Sequence, residues 1–117
     1  MPPAGLPGLD HQTLAGAGNS LRHLSVWRQT IAAGAATPAH RHDCEEVIVV
    51  ASGKGELHVE GRVYRFGSDC TLVLPASVDH QLINTGSEPL HLIAALSMAP
   101  VQVLTPDGRA LPLPWQA

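Results

Sequence analysis

The stretch HRHDCEEVIVVASG, residues 40–53, combines a His-x-His pair, a glutamate four residues after the second histidine, and an apolar run that ends at glycine. Alternate side chains of a regular β-strand point to the same face. His40, His42 and Glu46 share one parity, so a regular strand would turn all three toward one side of a sheet. The spacing therefore predicts three inward-facing ligands for a metal ion.

The alternation of apolar and polar residues continues through most of the chain. It is broken into short segments bounded by Gly, Pro, Asn or Asp, a pattern typical of β-strands joined by turns. Strands are predicted at residues 21–32, 45–52, 55–61, 62–67, 70–75, 79–86 and 90–97. Evenly spaced short strands favour an all-β sandwich or closed barrel.

Two reversals and one short helical segment complete this prediction. Glu60-Gly61 supplies the turn of a hairpin, and residues 53–55 supply a second tight reversal. No segment has a capped helical repeat of three turns, although residues 11–18 are compatible with about one helical turn.

The length of 117 residues, with 44% hydrophobic and 15% charged residues, suits one folded domain with a single modest core. We predict a single domain over residues 1–117. Residues 1–20 are predicted to form an N-terminal arm. Residues 100–117 are predicted to form an extended tail over the surface, with Trp115 as a possible anchor.

Charge and composition exclude several classes of partner. The net charge is −3 and the seven Lys and Arg residues are scattered, which argues against nucleic acid. The start of the sequence lacks signal-peptide character and the apolar runs are too short for a membrane span, so we expect a soluble cytoplasmic protein without a membrane partner. Cys44 and Cys70 are too few for a disulfide scaffold and are predicted to be free thiols.

A fourth candidate ligand is His80, which follows a predicted strand and a proline turn on a segment free to pair beside residues 40–46. Three imidazoles and one carboxylate suit a divalent transition metal and suit Ca²⁺ or Mg²⁺ poorly. The sequence leaves Fe, Mn, Co, Ni, Cu and Zn open.

These residues carry a resemblance to the cupins. The first cupin motif, a glycine, His-x-His, a glutamate and a final glycine, is matched by Gly34, His40, His42, Glu46 and Gly53. The second motif is matched by Pro75, His80 and Asn84. The resemblance implies a double-stranded β-helix (jelly-roll) barrel in which His40, His42, Glu46 and His80 bind one metal ion. It also implies a homodimer. Residues 21–32 or the tail through Trp115 would cover the open strand edges and apolar surface of each subunit.

Two features depart from the cupin pattern. Ser77 stands where the second motif usually has glycine, at a turn where glycine adopts a positive φ more cheaply. The approach to Pro75 is two residues longer than usual, and we expect a small loop or bulge near Ser68 and Asp69 to absorb them.

Several other polar residues have an ordinary interpretation. Glu45 is expected to be solvated or paired with Arg41 or Lys54. Asn84 could hydrogen-bond backbone or a bound ligand, with backbone favoured, and Cys44 is expected to be a small buried thiol near the site. The remaining histidines are expected to lie on the surface or to be hydrogen-bonded: His11, His23, His58 and His91.

Two functional hypotheses remain open. The first, held slightly ahead, is a metal-dependent enzyme with dioxygenase-, isomerase- or cyclase-like chemistry at an open metal position. The alternative is a non-catalytic module that binds or senses a small ligand or metal. Few aromatic residues are present, so the cavity is expected to be aliphatic and to suit a small, fairly apolar ligand. The acid–base candidates form no recognisable constellation: Tyr64, Gln81, Arg65, Glu56, His58 and the strand of Trp27.

Overall fold

The computed structural model describes residues 6–113, and within them the chain forms strands and one short 3-10 helix, Ala17–Asn19. The strands are β1 Leu9–Ala15, β2 Ser25–Ile31, β3 Glu46–Ser52, β4 Gly55–Val59, β5 Arg62–Phe66, β6 Thr71–Leu74, β7 His80–Asn84 and β8 Leu90–Leu96. Each strand of the sequence-based prediction is present, with ends that differ by a few residues.

The strands form two antiparallel sheets. The larger has the order β1-β2-β8-β3-β6 and the smaller the order β5-β4-β7. Alternate residues are buried along β3, where Ile48 and Val50 face the core while Val47 and Val49 are exposed. Leu57 and Leu82 of the small sheet join the same hydrophobic core. Full burial of such side chains contributes roughly 1.5–3 kcal/mol each, so the alternating pattern also holds the two sheets together.

The two predicted reversals have different roles. Glu60 and Gly61 have φ values of 51° and 75°, and Val59 pairs with Arg62, so they form the predicted hairpin with both central residues left-handed. Gly53, at φ 97°, instead carries the chain from β3 in the large sheet to β4 in the small sheet. A Cβ there would lie 2.9 Å from the Leu90 Cα, so this crossing requires glycine.

The N-terminal region differs from the prediction of a helical turn at residues 11–18. Most of this segment belongs to β1, which pairs with β2 over its whole length, and only Ala17–Asn19 is helical. Pairing with β2 lets β1 half-bury alternate side chains on the inner face, a tertiary gain that outweighs a weak local helical preference.

The C-terminal tail is not confined to the surface. Val101 and Val103 belong to the hydrophobic core, and Leu104 forms isolated bridges with Arg41 and Ala110. The sequence predicted an extended tail over the surface, and in this part the tail also contributes two buried side chains to the core. Trp115, the predicted anchor, lies outside the described residues.

The longer approach to Pro75 is absorbed where it was expected. Residues 67–69 make a turn in which Asp69 has φ 65°, and its N–H donates to the Val50 carbonyl at 2.9 Å. Cys44 is buried, Cys70 is half-buried, and both are free thiols, as predicted. Within residues 6–113 the structure contains no helix that could span a lipid bilayer.

Candidate metal centre

Three histidine side chains converge inside the barrel. The candidate ligand atoms of His40, His42 and His80 all lie within 4.8 Å of one another. Each Nδ1 faces a backbone carbonyl: the partners are Pro38 at 2.6 Å, Gln102 at 2.8 Å and Val78 at 3.1 Å, respectively. A carbonyl only accepts, so each Nδ1 carries the proton and each Nε2 keeps a lone pair for a ligand-binding role.

The backbone brings these residues together in a different way from that expected. His40 and His42 precede β3, and residues 43–45 are bends or irregular, so the first motif is not one regular strand. His40 instead forms an isolated bridge with His80, with backbone hydrogen bonds of 3.0 and 2.8 Å. His40, His42 and Glu46 still point inward, because both ends of the irregular stretch are fixed. The bridge to His80 holds one end, and the pairing of β3 holds the other end at Glu46.

Glu46 lies beside the imidazoles without a hydrogen bond that would satisfy it. Its Oε1 is 3.4 Å from His80 Nε2 and 3.6 Å from His42 Nε2. This oxygen is buried and has no hydrogen-bond partner among residues 6–113. A buried carboxylate oxygen left in this way is costly unless a cation compensates it.

Burial also favours the neutral form of His40 and His42. It lowers the pKa of His40 to about 4, with the nearby His80 adding to the effect. Burial likewise lowers the pKa of His42, against the opposing attraction of Glu46. Neutral imidazole is the form that binds a metal, so the site favours the ligand state over the charged state.

The donor set fits a transition-metal ion. Ligand atoms about 2.1 Å from one ion at 90–110° lie roughly 3.0–3.4 Å apart, close to the distances between Glu46 and the two nearer imidazoles. Three nitrogens and one carboxylate match the borderline divalent metals, and the backbone carbonyls supply the outer hydrogen bonds that orient such ligands. The three histidines of the predicted set thus form a group that could hold a metal ion, and Glu46, the fourth member, lies beside His42 and His80.

The cavity above these residues is mostly apolar. It encloses about 40 Å³ of free space, and its other walls include Trp27, Ile48, Leu92, Val103, Leu111 and Leu113. Two polar side chains outside the four candidate ligands also line it, Gln29 and Thr37. Thr37 is occupied structurally, because its Oγ1 accepts the Leu82 N–H at 3.0 Å.

Gln29 was not identified from the sequence. The available signal was its parity with Trp27 within the predicted strand 21–32, because both residues face the same side of β2. The periodicity of the sequence predicts that a residue faces inward, but it does not predict whether that residue lines a cavity or packs in the core.

The acid–base candidates from the sequence lie mainly outside the cavity. Tyr64 and Arg65 are exposed, Glu56 pairs with His58 at 3.0 Å on the other face of β4, and Gln81 donates to the Thr37 carbonyl. Trp27 is the member of that group that lines the cavity.

The remaining interpretations agree with the structure. The Asn84 amide donates to the Ile31 and Glu88 carbonyls at 2.9 Å, which is a structural role. Glu45 is exposed, and Arg41 pairs with Asp79 at 3.2 Å rather than with Glu45. Cys44 is buried but is not part of the cavity lining described above.

Ser77 meets the backbone requirement that glycine usually fulfils. It has φ 63°, its N–H donates to the His42 carbonyl at 2.7 Å, and its Oγ donates to Asp43 at 3.0 Å. The departure from the cupin pattern therefore leaves the turn intact, with the left-handed strain offset by these two hydrogen bonds.

Solved structures with the same architecture define the class of protein. A Lactobacillus farciminis oxalate decarboxylase formate complex aligns with a TM-score of 0.79 at 17% identity, over 89% of this chain and 33% of that one. A double-stranded β-helix protein from Klebsiella pneumoniae aligns with a TM-score of 0.74 at 16% identity, over 86% and 85%. An RmlC-like cupin from Shewanella frigidimarina gives 0.70 at 24%, over 80% and 78%. The fold is the double-stranded β-helix of a small cupin domain.

Sequence comparison identifies the family within that class. The family model described as "Auxin binding protein" matches residues 2–115, and the chain belongs to this family. It is 35% identical to auxin-binding protein 1 of Arabidopsis thaliana over 92% of the chain and 60% of that protein. It is 34% identical to auxin-binding protein T85 of Nicotiana tabacum, over 92% and 64%. The chain therefore spans about three fifths of the length of these relatives.

Proposed function

We propose that this protein binds a small organic acid at a divalent transition-metal ion. The observation that carries the proposal is the buried group of three Nε2 atoms and the uncompensated Glu46 Oε1 at the base of an apolar cavity. A divalent cation held here would compensate the Glu46 carboxylate, and it would supply an electrophilic centre for the carboxylate of a small ligand.

The chain's own residues supply the cation site and hold its geometry. His40, His42, Glu46 and His80 would hold the ion, and the Nδ1 hydrogen bonds fix the orientation of the rings. The bound ion supplies an electrophilic centre for an anionic group. Four protein ligands leave up to two positions open on an octahedral ion.

The cavity limits the size and polarity of the ligand. Aliphatic side chains and Trp27 select an apolar body, and about 40 Å³ is small beside a cavity of about 150 Å³ that admits benzene. Short-chain acids therefore fit the cavity as it stands. An aromatic acid, such as an auxin of the kind for which the relatives are named, requires the rim residues Leu6, Leu111 and Leu113 to move outward.

Binding is favoured over catalysis by the other polar groups of the cavity. Apart from the four candidate ligands, the described lining offers the amide of Gln29 and the engaged hydroxyl of Thr37, neither of which is a general acid or base near neutral pH. The enzyme hypothesis remains the second candidate, because open positions on the ion also suit activation of a bound substrate.

The test compares purified protein before and after metal removal. Calorimetric titration with butyrate and with indole-3-acetate should give binding only to the metal-loaded protein, and a Glu46→Gln variant should lose it. Equal binding by metal-free protein would contradict the proposal. Consumption of a bound acid or of oxygen during the titration would favour the enzyme.

We also propose that the protein is a cytoplasmic homodimer. Val47, Val49 and Val73 expose apolar side chains on the outer face of the large sheet, where Val47 pairs with Val73. β2 pairs with both β1 and β8, so a partner subunit cannot add a strand at residues 25–31. Sedimentation at micromolar concentration should give a dimer that Val73→Lys weakens, and a wild-type monomer would contradict this.

A further inference from the structure

The three candidate histidine ligands differ in where their orienting carbonyls come from. His40 and His80 each donate from Nδ1 to a carbonyl two residues earlier in their own segment. His42 instead donates to the carbonyl of Gln102, which lies 60 residues further along the chain, at 2.8 Å. The orientation of the His42 ring therefore depends on where the C-terminal segment is placed, whereas the other two rings are oriented locally.

This distant carbonyl belongs to a short hairpin, residues 101–111, which we call the strap. Leu104 forms an isolated bridge with Ala110 across the hairpin, and the Leu111 N–H donates to the Val103 carbonyl at 2.8 Å. The side chains of Val103 and Leu111 also line the cavity. The strap therefore supplies both an orienting group of the candidate metal centre and part of the cavity wall.

The strap is attached through Arg41, the residue between His40 and His42. The backbone N–H of Arg41 and that of Leu104 each donate to the carbonyl of the other residue at 2.9 Å. The Arg41 guanidinium donates to the Pro106 carbonyl at 3.1 Å and to the Asp79 carboxylate at 3.2 Å. Because Asp79 directly precedes the third histidine ligand, these contacts hold the strap against both stretches that carry the candidate ligands.

We propose that the docked strap positions His42 and that docking is coupled to metal loading, so that a filled metal centre also holds this wall of the cavity closed. In the docked strap, the Gln102 carbonyl accepts the Nδ1 proton and leaves Nε2 directed toward Glu46. Coupling between two equilibria is reciprocal, so an ion that needs the oriented ring stabilises the docked strap by the same factor. The inference rests on the metal centre of the proposed function, but not on the identity of the organic ligand.

Amide hydrogen exchange of the wild type, followed by NMR with and without Zn²⁺, measures this coupling. The Leu104 N–H reports opening of the strap because its acceptor is the Arg41 carbonyl. Its exchange should be about 10–100-fold slower in the loaded protein, the range found when a ligating histidine loses its outer hydrogen bond. The Asp69 N–H, which donates to the Val50 carbonyl in the turn before β6, is the control and should change little. An equal change at Leu104 and Asp69 would overturn the inference.

A matched pair of arginine variants tests the attachment. Arg41→Gln removes the side-chain contacts to Pro106 and Asp79 and should speed Leu104 exchange about threefold, the effect of one partly exposed ion pair. Arg109→Gln makes the same charge change within the strap, but the partner of Arg109, Asp107 at 3.2 Å, also lies in the strap, so exchange should be unaffected. Equal exchange rates in the two variants would show that Arg41 does not hold the strap.

A released strap should lower metal affinity. Val103→Asp places a charge at a position that is 5% exposed and should release the strap. Its Zn²⁺ affinity should fall by the same factor by which Zn²⁺ slows Leu104 exchange in the wild type. An added carboxylate would by itself attract the cation, so weaker binding cannot be an effect of charge. Val49→Asp, at a position that is 43% exposed, is the control and should keep the affinity of the wild type.

The outcomes separate this inference from the proposed function. If the wild type bound none of Zn²⁺, Co²⁺ and Ni²⁺, the proposed metal centre would be wrong and the coupling with it. Unchanged Zn²⁺ affinity in a folded Val103→Asp variant whose Leu104 amide exchanges freely would overturn the role of the strap alone. If that variant did not fold, the exchange experiment on the wild type would decide.

Discussion

Two groupings of histidine with glutamate lie on opposite faces of the barrel wall and differ in what they require. On the outside, His58 Nε2 and Glu56 Oε1 are 3.0 Å apart and both side chains are more than a quarter exposed. On the inside, Glu46 is 3.4–3.6 Å from two histidines that are at most 3% exposed. The outer pair is complete as an ordinary solvated hydrogen bond, whereas the inner group contains a buried carboxylate oxygen without a hydrogen-bond partner among residues 6–113. Burial, more than residue type, distinguishes the candidate site.

The sharpest test of this difference is metal content. His42→Ala removes an inner ligand and should weaken metal affinity by more than about 100-fold, since loss of an outer hydrogen-bond partner alone costs 10–100-fold. His58→Ala should leave one ion per chain. Elemental analysis after gel filtration measures both. A full equivalent of metal in the His42 variant would show that the assignment of the site is wrong.

Substitution of the two glutamates should also separate the groupings. Glu46→Gln removes the uncompensated charge and can donate to an imidazole, so metal-free protein should gain roughly 1–3 kcal/mol in the free energy of unfolding while metal affinity falls. Glu56→Gln should change either quantity little, because exposed pairs contribute at most about 1 kcal/mol. Urea unfolding with and without metal measures the two effects. Stability that falls in metal-free Glu46→Gln would contradict the view that Glu46 is unsatisfied.

The pH dependence of metal-free protein reports the inner group. The pKa values of His40 and His11 are lowered from 6.5 to about 4 in the fold. The unfolded chain therefore binds more protons between those values, so stability is fully present above pH 6.5 and is lost as pH falls toward 4. Each such histidine should cost about 1.4 kcal/mol per pH unit within this window.

Urea unfolding at pH 7.5, 6 and 5 checks this dependence. His40→Gln should flatten it, whereas His58→Gln should not. An equal slope in wild type and His40→Gln would remove His40 from the buried, neutral group.

The smallest expected effect is at the two left-handed turns. Ser77→Gly relieves strain at φ 63° and should be about 1 kcal/mol more stable than Ser77→Ala, which keeps the strain and loses the hydroxyl. Glu60→Gly at the outer hairpin, at φ 51°, should gain a similar amount over Glu60→Ala. Because Ser77 contacts the His42 carbonyl, only its variants should also shift metal affinity. A change of metal affinity in the Glu60 variants would contradict the view that the outer hairpin is independent of the inner group.

The sequence by itself determined strands β2 to β8, the Glu60-Gly61 hairpin and the candidate residues His40, His42, Glu46 and His80. Alternation of side chains is a property of a single strand, so it can be recognised in a short segment of sequence. The candidate site residues lie in two short motifs and can be recognised in the same way. Even the turn at Ser77 followed from its position in the second motif.

Tertiary structure decided the rest. β1 is a strand because β2 offers an edge and an inner face, and Val101 and Val103 enter the core because the barrel end is open. Gln29 and His11 become neighbours across a sheet, although 17 residues lie between them in the chain. Such contacts depend on which strands pair and on which apolar surfaces the folded chain leaves exposed. Both depend on the whole fold, so the periodicity of the sequence does not predict them.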